Sequence, residues 1–139
     1  MDYSNVNFWA VLVSAIISMM IGGIWYSPAL FGKLLMEKNG TTPEDVANFP
    51  KSVIMRSYIL QFIASLVTTF VLAELLALTG AATFGSAVGI ALLVWLGFIA
   101  TVHLGAVLWE KKSPKLFLVD LTCSILIMII SATILYYWK

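Results

Sequence analysis

Apolar residues fall in four long runs along this chain, and polar residues collect between them. The runs cover roughly residues 8–26, 53–79, 84–109 and 116–138. Each supplies about the 20 residues, at a rise of about 1.5 Å per residue, that a bilayer core of roughly 30 Å requires. The pattern predicts an all-α, polytopic membrane protein, with residues 1–139 forming one four-transmembrane-helix bundle. A longer connection, 27–52, follows the first span. The connection between the second and third spans is short enough to make them antiparallel neighbours.

Local signals refine this frame. Asn5 or Asn7 caps the first span, which ends at Trp25-Tyr26-Ser27-Pro28. The aromatic pair suits the headgroup level, and Pro28 disfavours helical geometry at Ser27. Ser27 is then expected to cap a new helix with Pro28 in its first position. Leu30, Phe31, Leu34 and Leu35 recur at helical spacing, which predicts a short amphipathic helix on the membrane interface. Asn39-Gly40 ends that helix, and Thr42 with Glu44 and Asp45 begins another. Ser27-Pro28-Ala29-Leu30-Phe31 is echoed by Ser113-Pro114-Lys115-Leu116-Phe117, each after a tryptophan. The echo raises a duplicated two-helix unit as a minority reading against a shared way of starting helices.

Composition agrees and narrows the function. With 61% hydrophobic and 11% charged residues, a soluble core is excluded. A net charge of +1 gives no basic surface for nucleic acid. Cys123 is the single cysteine, so neither an intrachain disulfide nor a Cys-x-x-Cys metal or thiol site is available. No metal or cofactor motif is present, and an enzyme is not expected. No Lys or Arg precedes the first span, which is therefore expected to remain as an anchor rather than a cleaved leader. Lys33, Lys38, Lys51, Arg56, Lys111, Lys112 and Lys115 flank one end of the spans, and only Lys139 flanks the other. That bias places the charged loops in the cytoplasm and both termini outside.

Polar and small residues line single helix faces. Asn7, Ser14, Ser18 and Trp25 share one side of the first span, and Ser57, Gln61, Ser65 and Thr68 one side of the second. Asp120, Ser124 and Ser131 do so in the fourth, with Cys123 at the edge. In the third, Gly85, Gly89, Gly97, Thr101 and Gly105 recur at multiples of four, and Gly85-x-x-x-Gly89 is a close-packing motif. The glycines are expected to pack helices, within the chain or between copies.

Ionisable groups at membrane depth need a reason. His103 and Asp120 each lie about 9 Å inside their spans from the lysine-rich end, and Gln61 about 12 Å inside the second. Glu110 sits on the face of His103, nearer the water. These four form the candidate polar, proton-sensitive cluster, with Asp120 as carboxylate, His103 as its titratable partner and Gln61 as wall. The alternative is a hydrogen bond that merely joins two spans. Glu74 is expected to reach the opposite interface.

The segment Gly22-Gly23-Ile24-Trp25-Tyr26-Ser27-Pro28-x-Leu30-Phe31-Gly32-Lys33-x-x-Met36 resembles a bacterial membrane family known as domain of unknown function family 1761. Looser matches are Gly97-Phe98, Glu110 and Trp138. The resemblance implies a small four-span bundle in a bacterial cytoplasmic membrane and brings no activity with it. Physically the segment is an interfacial elbow: Trp25 and Tyr26 set depth, Pro28 turns the chain, Phe31 and Gly32 pack, and Lys33 meets lipid phosphate. The sequence favours, narrowly, a structural or assembly role, self-associating or as an accessory subunit in the lipid bilayer. The alternative is a small oligomeric transporter or channel using the polar cluster.

Overall fold

A computed structural model describes residues 6–138. Asn5 and Lys139, invoked above for capping and for charge bias, lie outside the described residues. The secondary structure of the described residues is all helical: α1 (Phe8–Trp25), α2 (Gly32–Asn39), α3 (Pro43–Ala47), α4 (Lys51–Leu78), α5 (Phe84–Val94), a π-helical turn (Trp95–Ala100), α6 (Thr101–Trp109) and α7 (Pro114–Tyr137). The third span is continuous from Phe84 to Trp109, so four helices among the described residues are long and apolar enough to cross a membrane.

The predicted caps form where a side-chain acceptor stands before an orphan amide. Asn7 Oδ1 accepts from the amides of Trp9 and Ala10. Thr42 and Asp45 make a capping box that holds the Asp45 carboxyl below its usual range, chiefly through the Thr42 hydroxyl. Gly40 and Gly80 end α2 and α4 in the left-handed region, at φ of 64° and 61°.

Two expectations change. Ser27 does not cap a helix at Pro28. Its hydroxyl donates back to Ile24 O, and Pro28 sits in a turn with α2 starting only at Gly32. Pro114, by contrast, does open α7. The two Ser-Pro segments therefore fold differently, and the sequence echo has no local structural counterpart. Glu74 also departs from expectation. It is buried, and its Oε1 has no hydrogen-bond partner among the described residues.

The spans are arranged with α1 between α4 and α7, and α7 between α1 and α5. Although α4 and α5 are joined by a short turn, they share few contacts; the third span packs chiefly on α7. Small side chains allow the close approach: Ala10 and Ala15 on α1, Ala87 and Ala91 on α5, and Ala132 on α7 are essentially inaccessible. Ala10, Ala87, Ala91 and Ala132, with Leu72, Leu76 and Leu135, concentrate the core at the short-turn end. Toward the lysine-rich end the bundle loosens. There α4 presents Val53, Met55, Tyr58, Ile59 and Ile63 outward.

The elbow between α1 and α2 is the tightest backbone crossing. Gly32 N–H donates to Ser27 O at 2.9 Å, and Phe31 N–H donates to Trp25 O at 3.1 Å. A Cβ on Gly32 would stand 2.5 Å from Tyr26 O and 2.7 Å from Ser27 O, both backbone atoms that cannot move aside alone. Gly32→Ala is therefore expected to destabilise the fold by about 1–3 kcal/mol. Gly22→Ala meets nothing within 4 Å and should be neutral or better. Thermal melting of the two variants in one detergent checks the contrast.

Candidate functional site: a polar cavity at the lysine-rich end

The loosened end of the bundle encloses a half-open cavity of about 670 Å³, walled by all four spans. Gln61, His103 and Asp120 all reach its wall, as does Tyr58. Three of the four predicted cluster residues thus share one space. Glu110 does not join them: it is exposed at the C-terminal end of α6, where the helix has already finished.

The predicted pairing is replaced by another. Asp120 is not bonded to His103. Its Oδ1 accepts from the Tyr26 hydroxyl at 2.6 Å, and its Oδ2 is paired with the Lys112 ammonium. His103 Nδ1 instead lies 3.0 Å from Ile99 O, one turn back on its own helix. The reason is reach. The elbow turns Tyr26 toward α7, and Lys112 extends over the first turns of α7 from the preceding loop. Each places a donor on the carboxylate before the imidazole can.

Both new partners had been read otherwise, Tyr26 as a depth anchor and Lys112 as one of several topology charges. A signal existed for each. Tyr26 ends α1 at the level of Asp120, and a carboxylate at membrane depth calls for the nearest cation. Which of Lys111, Lys112 and Lys115 would answer depends on the loop. Lys111 adopts φ 57°, a conformation uncommon for a residue with a side chain. Lys112 N–H closes onto Ala106 O at 3.3 Å, which directs its side chain back over the bundle.

Neighbouring bonds fix the walls. Trp25 Nε1 donates to Val119 O at 3.2 Å and Trp95 Nε1 to Ser124 Oγ at 2.9 Å. The Ser18 and Ser131 hydroxyls lie 3.4 Å apart between α1 and α7. The inward stripes of α1 and α7 are therefore as expected. The α4 stripe is displaced: α4 buries Thr69, Leu72 and Ala73, while Gln61, Ser65 and Thr68 border the cavity and Ser57 is exposed.

The π-helical turn accounts for the third span. Ala87, Ala91, Trp95, Ile99 and His103 recur every four residues, a spacing that drifts by about 40° per step in an α-helix. An i→i+5 turn rotates less per residue and takes up much of that drift. Trp95 and His103 consequently stay on the side of the buried alanines. The glycine stripe, offset by two residues, lies about 200° around the helix. Gly89, Gly97 and Gly105 meet no atom within 4 Å, and Gly85 only Thr83 Oγ1 at 4.0 Å. Within the chain, close packing is the work of alanines rather than of these glycines.

These features define a four-span helical membrane protein with a polar cavity walled by its own spans. The chain belongs to the family described as a protein of unknown function, DUF1761, whose model matches residues 9–136. No curated protein and no solved structure matches it.

Removing the two donors of Asp120 should have unequal effects. Tyr26→Phe deletes one hydrogen bond to a charged acceptor, for a loss of about 1.5–3 kcal/mol. Lys112→Met strips the compensating charge. Its loss should approach about 3 kcal/mol, the low end for a broken buried pair, because the lysine side chain is 33% exposed. Asp120→Asn combined with Lys112→Met should recover much of that loss. Unfolding measurements on these variants form the check.

Proposed function

We propose that this chain is a non-catalytic membrane carrier or binding protein that holds a small ligand in the cavity at its lysine-rich end. One observation carries the reading: a space of about 670 Å³ is kept open at membrane depth and walled by an acid, an imidazole, a carboxamide and two phenols. Ordinary interhelical hydrogen bonding needs no such space, since bundles held by small residues close around their polar groups. The size falls within the range of small-molecule sites, roughly 300–1,000 Å³. The lysine bias supports an orientation with the charged loops in the cytoplasm of a bacterial cell and both termini outside.

The test fills the cavity from a position that has room. Gly22 lines it and meets nothing within 4 Å, so Gly22→Phe should fold and occupy the space. Native mass spectrometry of the protein released from lipid nanodiscs is expected to show a bound small molecule on the wild type. Gly22→Phe should show at least about tenfold lower occupancy. A wild type that carries nothing in any lipid, and moves no solute in vesicles, overturns the proposal.

A second reading, self-assembly, draws on a separate feature. The glycine face of the third span is free within the chain, so a second helix can approach it closely. Gly89→Leu and Gly97→Leu should leave the melting temperature of the single chain within a few degrees while dispersing any oligomer. Mass photometry or analytical ultracentrifugation distinguishes the cases. An unchanged association state in both variants removes this reading.

A further inference from the structure

The proposed carrier function leaves the ligand's chemistry open, and the cavity wall narrows it. Three of the deep hydroxyls are already satisfied by their own helices: Ser18 donates to Ser14 O, Thr68 to Ala64 O and Thr69 to Ser65 O. With these groups engaged, the deep wall is set by Met19, Ile127 and Met128, which suit an apolar chain. Nearer the lysine-rich end the wall becomes polar, with Tyr26, Tyr58, Gln61, His103 and Asp120. The site is therefore graded along the membrane normal, apolar at depth and polar toward one surface.

The charge on that wall has one sign. Among the described residues, Asp120 is its only acid, and neither lysine nor arginine contributes to it. Lys112 reaches the carboxylate from the loop and stays outside the lining. Tyr26 and Tyr58 add phenol faces, which attract cations. The wall also has an open flank. The part of α4 carrying Tyr58 and Gln61 is largely exposed, and α6, which carries His103, packs on α7. An amphiphile dissolved in the leaflet can enter there without passing through water.

We infer that the cavity takes an amphiphile with a cationic headgroup, and that this headgroup replaces the Lys112 ammonium at Asp120. The inference rests on the carrier reading above. One carboxylate in a poorly hydrated site neutralises one cation, and a second would leave an unpaired buried charge. The asymmetry between the partners decides which cation leaves. Asp120 is 12% exposed and fixed on α7, whereas Lys112 is 33% exposed and sits in a loop beside water. Lys112 can rehydrate at little cost, and Tyr26 holds the carboxylate in place during the exchange.

The test uses the full chain in lipid nanodiscs with diazirine-bearing dodecyl probes that differ only in headgroup: trimethylammonium, sulfate and primary alcohol. Cross-links are mapped by mass spectrometry, and Lys112 accessibility is read by acetylation with a water-soluble reagent. The ammonium probe is expected to label the cavity roughly tenfold more than the sulfate. It should also raise Lys112 acetylation several-fold. Lys112→Gln, which removes the competing cation, should increase ammonium labelling, and Asp120→Asn should abolish the preference. Should Asp120→Asn fail to fold, Lys112→Gln and the acetylation readout decide. Equal cavity labelling by all probes overturns the cation inference and leaves the carrier reading standing. Ammonium labelling with Lys112 reactivity unchanged overturns the exchange. If no probe labels the cavity, the amphiphile inference falls, and native mass spectrometry of the wild type decides the carrier reading separately.

Discussion

A carboxylate placed about 9 Å inside an apolar helix has to be neutralised or hydrogen-bonded, because lipid offers it neither water nor counterion. In this chain that constraint is met by drawing two distant segments onto α7. The end of α1 supplies a phenol and the loop before α7 supplies an ammonium. Around this junction the elbow must turn tightly, which requires a glycine at 32, and the loop must fold back, which puts Lys111 in a left-handed conformation. The lysine-rich end is thus organised by electrostatics, and the opposite end by close apolar packing.

That division explains why the cavity is where it is. At the short-turn end, alanines and leucines pack together and leave a smaller space, of about 400 Å³, beside Ala10, Leu76 and Gly80. At the other end the helices are held apart by longer side chains that bond across the gap, Trp25 to Val119 and Trp95 to Ser124. α4 takes little part in those bonds, and so its lysine-rich half faces outward. At 28 residues, or roughly 42 Å, α4 is also longer than a bilayer core of about 30 Å, which favours tilt away from the bundle. An open flank is the natural result of one long helix anchored at only one end.

The four spans, the presence of a short helix after the first span (though not its start, since Leu30 and Phe31 precede it), the caps at Asn7 and Thr42 and the inward faces of α1 and α7 were legible in the sequence. They depend on local periodicity and on short-range hydrogen bonds. The meeting of Gln61, His103 and Asp120 around one space was legible too, from depth alone. What escaped were features set by backbone paths. The partnership of Tyr26 and Lys112 with Asp120 follows from an elbow and a loop whose geometry no hydropathy pattern contains. In the third span small size and spacing favour the glycines, whereas within the chain Ala87 and Ala91 make the close contacts. Glu74 was misplaced for a similar reason, since burial there depends on which helices close around α4.

The π-helical turn has a consequence for how this protein tolerates change in length. A six-residue stretch with i→i+5 bonding accommodates about one residue more than an α-helix uses over the same rotation. The third span therefore contains a spare position within 95–100. Deleting a single residue there would return the stretch to ordinary α-helix and leave the facing of everything after it nearly unchanged. The fold would keep four spans of adequate length and unchanged hydrophobicity. His103 would keep its side of the helix, whereas a deletion in the α-helical part before it would turn it by about 100°, away from the cavity. The third span can therefore lose one residue within 95–100 and still face the same way, a tolerance that its α-helical parts lack.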